Sequence, residues 1–199
     1  MWFLYRFIMA QYVLKIKPTK HILDWVISRY RVMPWDLDAN LHMNNVKYLK
    51  YLERGRVEQM IHTPWLNTMW ANHAKALIAN TEISYVKEMR LFQKFKVETR
   101  ISSWDEKYIY MEQLFTHRHT VFTAAVIRMA VVDSKTHKRL SPAEAFNNLL
   151  GEAQSPAIPT SAQHLNLLVQ AQRGETQAVA DAHAAQDEPQ AQSSYNPKT

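Results

Sequence analysis

The segment Trp35-Asp36-Leu37-Asp38-Ala39-Asn40-Leu41-His42-Met43-Asn44-Asn45-Val46-Lys47-Tyr48 gathers carboxylates, carboxamides and an imidazole into one short stretch. Asp and Asn commonly build turns and helix caps, which accounts for one of each. It does not account for Asp38, Asn40 and His42 on alternate positions, followed by the pair Asn44-Asn45. A carboxylate in that company can act as general base or as nucleophile toward a carbonyl carbon, with the amide and imidazole orienting water or polarising the carbonyl. If a helix begins just downstream, its unpaired N–H groups and positive end supply donors for a developing oxyanion. Asp38 is the first candidate for base or nucleophile. A metal fits the segment less well. Asp36-x-Asp38-x-Asn40 opens like a calcium loop, but Leu41 stands where the sharp turn needs Gly, and Lys47 where the bidentate Glu belongs. No second His lies at zinc-ligand spacing from His42. Neither a metal nor a cofactor is expected.

The rest of the composition narrows the chemistry further. There is no Cys, which excludes a thiol nucleophile, a thiolate zinc site and a disulfide framework, and is compatible with a reducing cytoplasm. The three glycines, Gly55, Gly151 and Gly174, are too far apart to form a phosphate-cradling loop or a G-x-S-x-G elbow. Catalysis in this chain must rest on carboxylates, histidines and backbone dipoles.

The elements that would position such a site can be read from periodicity. Val26–Met33 alternates as a strand. Asn44 to about His62 has helical spacing through Val46, Leu49, Leu52, Val57, Met60 and Ile61, with Asn44 or Asn45 as cap and Pro64 at the end. Strand-like runs follow at Thr81–Val86, Lys94–Trp104, Tyr108–His117 and Val121–Asp133. Ser141-Pro142-Ala143-Glu144 is a capping box that opens a short helix through Leu150. One long helix followed by consecutive strands predicts an α+β fold, an antiparallel sheet wrapped around that helix.

With those residues in view, the segment resembles the signature of hotdog-fold thioesterases, the 4-hydroxybenzoyl-CoA and acyl-CoA thioesterase superfamily. The pattern Asp-x-Asp-x-x-x-His-x-Asn-Asn-x-x-Tyr is met by Asp36, Asp38, His42, Asn44, Asn45 and Tyr48. It is most similar to plant acyl-carrier-protein thioesterases and to proteins of the thioesterase superfamily member type. The resemblance implies a hotdog domain over about residues 22–150 that hydrolyses acyl-CoA or acyl-carrier-protein thioesters, with Asp38, Asn40 and His42 in catalytic roles. Tyr85-Val86-Lys87-Glu88 resembles a further Tyr-x-x-Glu segment and adds Glu88. Most relatives carry Gly where this chain has Leu41. Some hotdog enzymes use an acid on the helix, which makes Glu53 and Glu58 rivals, although charged helix residues are usually a solvated face. The family also implies a homodimer or higher homo-oligomer, because one hotdog unit is present and its relatives form the site where two meet. A non-catalytic module that binds acyl groups or CoA is the alternative.

The ends differ from the body. Residues 1–21, rich in aromatics with Lys15 and Lys17, read as an amphipathic segment; residues 1–17 either pack on the domain or lie in a membrane interface. Residues 151–199, rich in Ala and Gln, read as a disordered tail in which His164–Val169 is the one patch that could form a transient helix or a docking segment. The expected location is cytoplasmic, with peripheral membrane contact as a variant. The formal net charge is +6, concentrated before residue 150. No nucleic-acid module accompanies it, so nucleic acid is not an expected partner.

Overall fold

The computed structural model describes residues 19–150 and 155–187. The strands are β1 (Val26–Arg31), β2 (Ala74–Tyr85), β3 (Lys94–Trp104), β4 (Ile109–His117), β5 (Thr120–Asp133) and the short β6 (Arg139–Leu140). The helices are α1 (Asn45–His62), α2 (Trp65–Ala71), α3 (Pro142–Leu150) and α4 (Thr160–Asp187). The sheet runs β1-β3-β4-β5-β2 with every pairing antiparallel, and β6 pairs with β5. The expected α+β architecture is present. α1 packs against β1 and β3, and β2 returns to the far edge beside β5.

α1 meets the sheet with a different face from the one hydropathy suggests. Its buried residues are Tyr48, Tyr51, Leu52, Gly55, Val57 and Gln59, while Val46 and Leu49 are exposed. Positions 48, 51, 52, 55 and 59 form one helical stripe, so the buried line is made of tyrosines, a glycine and a glutamine as well as leucine. Gly55 brings the helix close to the sheet: a Cβ there would lie 2.6 Å from Thr99 Oγ1 and 2.7 Å from Gln113 Nε2. Gln113 is fully buried, and its Nε2 donates to Leu52 O at 2.9 Å and to Thr99 Oγ1 at 2.8 Å. Helix and sheet are therefore stitched by a satisfied polar network inside an otherwise apolar contact.

Two core clusters result. One, around Tyr48, Tyr51, Leu52, Phe95, Val97 and Phe115, supports the first half of α1. The other, around Trp65, Met69, Ile101, Met111, Ile127 and Phe146, lies under its second half.

Several boundaries differ from the sequence reading. β1 ends at Arg31 because Val32 leaves the ladder to exchange hydrogen bonds with the loop before β3, Val32 N to Gln93 O and Phe92 N to Val32 O. β2 starts at Ala74, seven residues before Thr81, and carries an irregularity between Ile78 and Asn80 that breaks its alternation. α2 follows Pro64 directly, since Pro ends one helix yet fits the start of another. Beyond residue 151 the composition predicts disorder, but the structure has the helix Thr160–Asp187; Ala and Gln are good helix formers. The described residues part into two compact units between Ala162 and Gln163. The proposed N-terminal segment, apart from its last three residues, lies outside the described residues.

Candidate active site

The strand-to-helix segment is held by a chain of local hydrogen bonds. Asp36 is buried; its Oδ2 accepts from Met33 N at 3.0 Å and from the Tyr51 hydroxyl at 2.8 Å, and Lys47 Nζ lies 3.6 Å from Oδ1. Burial and the adjacent Asp36 carboxylate push the Tyr51 hydroxyl well above its ordinary pKa, so it remains a donor. Asp36 O also accepts from Asn44 N at 2.8 Å. Asp36 thus pins the ends of the segment together, and Asp38 is free for another task.

Asp38 opens a tight turn. Its N–H donates to His42 O, its carbonyl accepts from Leu41 N, and its Oδ1 accepts from Asn40 N at 2.8 Å and, more weakly, from His42 N at 3.4 Å. Leu41 has φ 62°, the left-handed conformation that favours Gly. The turn therefore holds a leucine in a conformation that favours glycine. With Oδ1 fixed, Oδ2 of Asp38 has no partner among the described residues.

The imidazole next to it is oriented from a second loop. His42 Nε2 lies 2.9 Å from Glu88 Oε2, while backbone contacts join His42 to Arg90 and Met43 N to Met89 O. Glu88 is largely exposed, so the pair orients the ring more than it stabilises the fold. Asn44 caps α1: its Oδ1 accepts from Val46 N at 2.9 Å and its carbonyl from Lys47 N at 2.8 Å. Neither takes the Asn45 N–H, which is left in the first turn as a donor at the positive end of the helix. Tyr48 is buried beneath Tyr85, ring centroids 5.1 Å apart, and burial raises its hydroxyl pKa.

Asp38, Asn40, His42 and Glu88 thus come together at the start of α1, with Asn44, Asn45 and Tyr48 forming the helix end beside them. The Asn40 side chain is exposed. Glu53 stands apart, eight residues beyond Asn45 and therefore about 12 Å along the helix axis. It lines a separate cavity of about 540 Å³ with Met60, Trp65, Met69, Met111 and Met129. Sequence reading missed this cavity because it missed α2; the spacing of Trp65, Leu66, Met69 and Trp70 was the available signal.

A six-stranded antiparallel sheet wrapped on one long helix, with this segment at the helix entrance, defines the hotdog class. Within that class the chain belongs to the thioesterase-like superfamily, whose family profile matches residues 32–177. It is 29% identical over 136 residues to Protein THEM6 of Xenopus laevis, covering 67% of this chain and 63% of that protein. It is 24% identical over 116 residues to the long-chain acyl-CoA thioesterase FadM of Escherichia coli, covering 57% of this chain and 88% of that one. The fold matches the crystal structure of the probable thioesterase YbaW of Escherichia coli with a TM-score of 0.58 at 22% identity, over 61% of this chain and 93% of that one. The chain spans 63% and 54% of the lengths of the Xenopus laevis and Danio rerio THEM6 proteins.

Proposed function

We propose that this protein hydrolyses acyl thioesters, with acyl-CoA as the first substrate class to test. The observation that carries the reading is the half-free carboxylate of Asp38, with Oδ1 held by backbone N–H groups and Oδ2 open, beside an oriented His42 and the N-terminus of α1. In the proposed reaction Oδ2 either removes a proton from water, which adds to the thioester carbonyl, or attacks the carbonyl itself. The oxyanion faces the Asn45 N–H and the helix dipole. Collapse of the adduct breaks the C–S bond, and the thiolate leaves to take up a proton. In the nucleophilic variant, water then cleaves the mixed anhydride on Asp38. His42, oriented by Glu88, and Asn40 position water or the carbonyl. The thioesterases among its relatives support the reading.

Asp38→Asn keeps the size of the side chain and removes the basic oxygen. We expect turnover of a panel of short, medium, long and aromatic acyl-CoAs to fall at least ~100-fold, with an unchanged circular dichroism spectrum. Undiminished turnover would transfer the role to Glu53 or Glu88. Binding of acyl-CoA without turnover by the unaltered protein would favour the non-catalytic module. Single-turnover hydrolysis in ¹⁸O water tests the nucleophilic variant: label in Asp38, from water attack on the Asp38 carbonyl of the anhydride, marks it as the nucleophile.

We further propose that the working unit is a homodimer. Among the described residues, β2 is a twelve-residue edge strand paired with β5 alone, and Leu77, Ile78, Val46 and Leu49 are exposed large apolar side chains on β2 and α1. Such an edge is usually paired or covered.

A further inference from the structure

We propose that the end of the fold carrying Asp38 and His42 docks onto an anionic lipid surface. The proposal does not depend on hydrolysis. It rests first on cross-strand pairs on the outer face of β1 and β3. Arg29 stands directly opposite Lys96, and Arg31 directly opposite Lys94. Like charges in that relation destabilise a sheet unless an anion meets them. These four residues, with His117 and Arg118 at the end of β4, line a groove of about 570 Å³ that contains no acidic residue. None of the four, nor Arg118, has an ion-pair partner among the described residues. Further along the same face, Arg100 is neutralised: its Nη2 lies 2.7 Å from Glu112.

The second observation concerns the two loops at that end. Trp35 is 67% exposed, Leu41 71% and Phe92 53%. Leu41 and Phe92 both sit at left-handed positions, φ 62° and 61°, in turns where Gly would be relaxed. Phe92 is the third residue of the turn closed by Gln93 N to Arg90 O, where a positive φ favours Gly or Asn. Bulky apolar side chains are thus held in water at strained positions. The two loops are joined through His42–Arg90, Met43–Met89 and Val32–Gln93 contacts, so the tips belong to one surface.

That surface lies at the C-terminal end of β1 and the N-terminal end of β3, the same end as the charged groove. Of its acids, Asp36 is held by Tyr51 and Glu88 by His42, while Asp38 keeps one oxygen open at the site itself. Exposed aromatic and aliphatic tips flanked by uncompensated Arg and Lys match the boundary of an anionic bilayer, where apolar groups enter the acyl layer and cations meet headgroup phosphates. A second copy fits worse, because a two-fold contact on this face would set cation against cation. A free phosphorylated ligand gives Trp35 and Phe92 nothing to do. Docked in this way, the site would take acyl groups from the bilayer side.

The test is co-sedimentation of the full chain with vesicles of phosphatidylcholine, alone or mixed with phosphatidylserine. Binding is expected to favour the mixed vesicles and to weaken with salt. At about 1 kcal/mol per basic residue near the surface, Arg31→Gln with Lys94→Gln should weaken it roughly 30-fold. Trp35→Ala with Phe92→Ala should weaken it at least ~10-fold. Leu41→Gly relieves its turn and so remains folded, yet should also bind less tightly. Unchanged binding in these variants, or none by the unaltered chain, overturns the proposal. So does a dimer that dissociates in the Trp35→Ala, Phe92→Ala variant by sedimentation velocity, because the surface would then be a subunit contact. Binding to soluble CoA that needs Arg31 and Lys94, without vesicle binding, overturns it in favour of a free phosphate.

Discussion

Replacing Gly55 by Ala should destabilise the fold although it adds a helix-favouring residue to a helix. The new Cβ would lie 2.6 Å from Thr99 Oγ1, 2.7 Å from Gln113 Nε2 and 2.9 Å from Val97 Cγ1. All three are closer than van der Waals contact allows, and all belong to buried residues of β3 and β4. Relief requires α1 to lift from the sheet or Gln113 to turn away. Lifting the helix is an overpacking strain of about 2 kcal/mol. Turning Gln113 leaves its buried amide without Leu52 O and Thr99 Oγ1, a loss of about 2 kcal/mol. Ala returns about 1 kcal/mol of helix propensity. If both costs are incurred, the net is about 3 kcal/mol, or roughly 6–12 °C in melting temperature for a chain of this size. Urea unfolding followed by circular dichroism reads it directly. Gly174→Ala is the control, because a Cβ there meets nothing within 4 Å. It should leave the main transition in place. A Gly55→Ala protein as stable as the unaltered chain would refute the close-approach argument.

Other expectations follow from single contacts. Asp38→Asn should lower acyl-CoA turnover at least ~100-fold without changing the fold, as measured by a thiol-release assay. Tyr51→Phe leaves the buried Asp36 carboxylate short of one donor and should cost about 1.5–3 kcal/mol in urea unfolding. Because the folded-state pKa of Tyr51 is raised, its contribution is full below the unfolded value near 10 and falls as pH rises above it. The alkaline decline in stability should accordingly be shallower in Tyr51→Phe. Leu41→Gly removes about 1 kcal/mol of left-handed strain, so its unfolding midpoint should be equal or higher, with free glycine entropy offsetting part of the gain. Sedimentation velocity at micromolar concentration should show a species of twice the 23.3 kDa chain mass. A lone monomer that still turns over acyl-CoA would exclude the dimeric unit.

The chemistry-bearing segment was legible because its signal is local. Asp, Asn and His on alternate positions ahead of a helix cap are set by residue type and spacing alone, and Asn44 does cap α1. Strand β3 was legible for the same reason, its faces alternating, with Phe95, Val97, Thr99 and Ile101 all buried, while β4 and β5 were legible as apolar runs joined by a polar turn. Even the partnership of Glu88 with His42 had a hint in Tyr85-Val86-Lys87-Glu88, although nothing in the spacing places two loops 46 residues apart at 2.9 Å.

Tertiary structure decided what depends on neighbours distant in sequence. The buried stripe of α1 runs through Tyr48, Gly55 and Gln59, and no hydropathy rule selects these over Val46 and Leu49. Gly55 is inside because the sheet comes within reach of its Cα, and Gln59 because Ile22 O accepts its amide hydrogen. The first half of β2 was hidden because an edge strand with an irregularity buries neither face regularly, so its alternation is lost. On paper, Asp38 is set apart from Asp36 by its alternation with Asn40 and His42. The folded chain supplies the physical difference, by bringing Tyr51 to the Asp36 carboxylate and leaving an oxygen of Asp38 open.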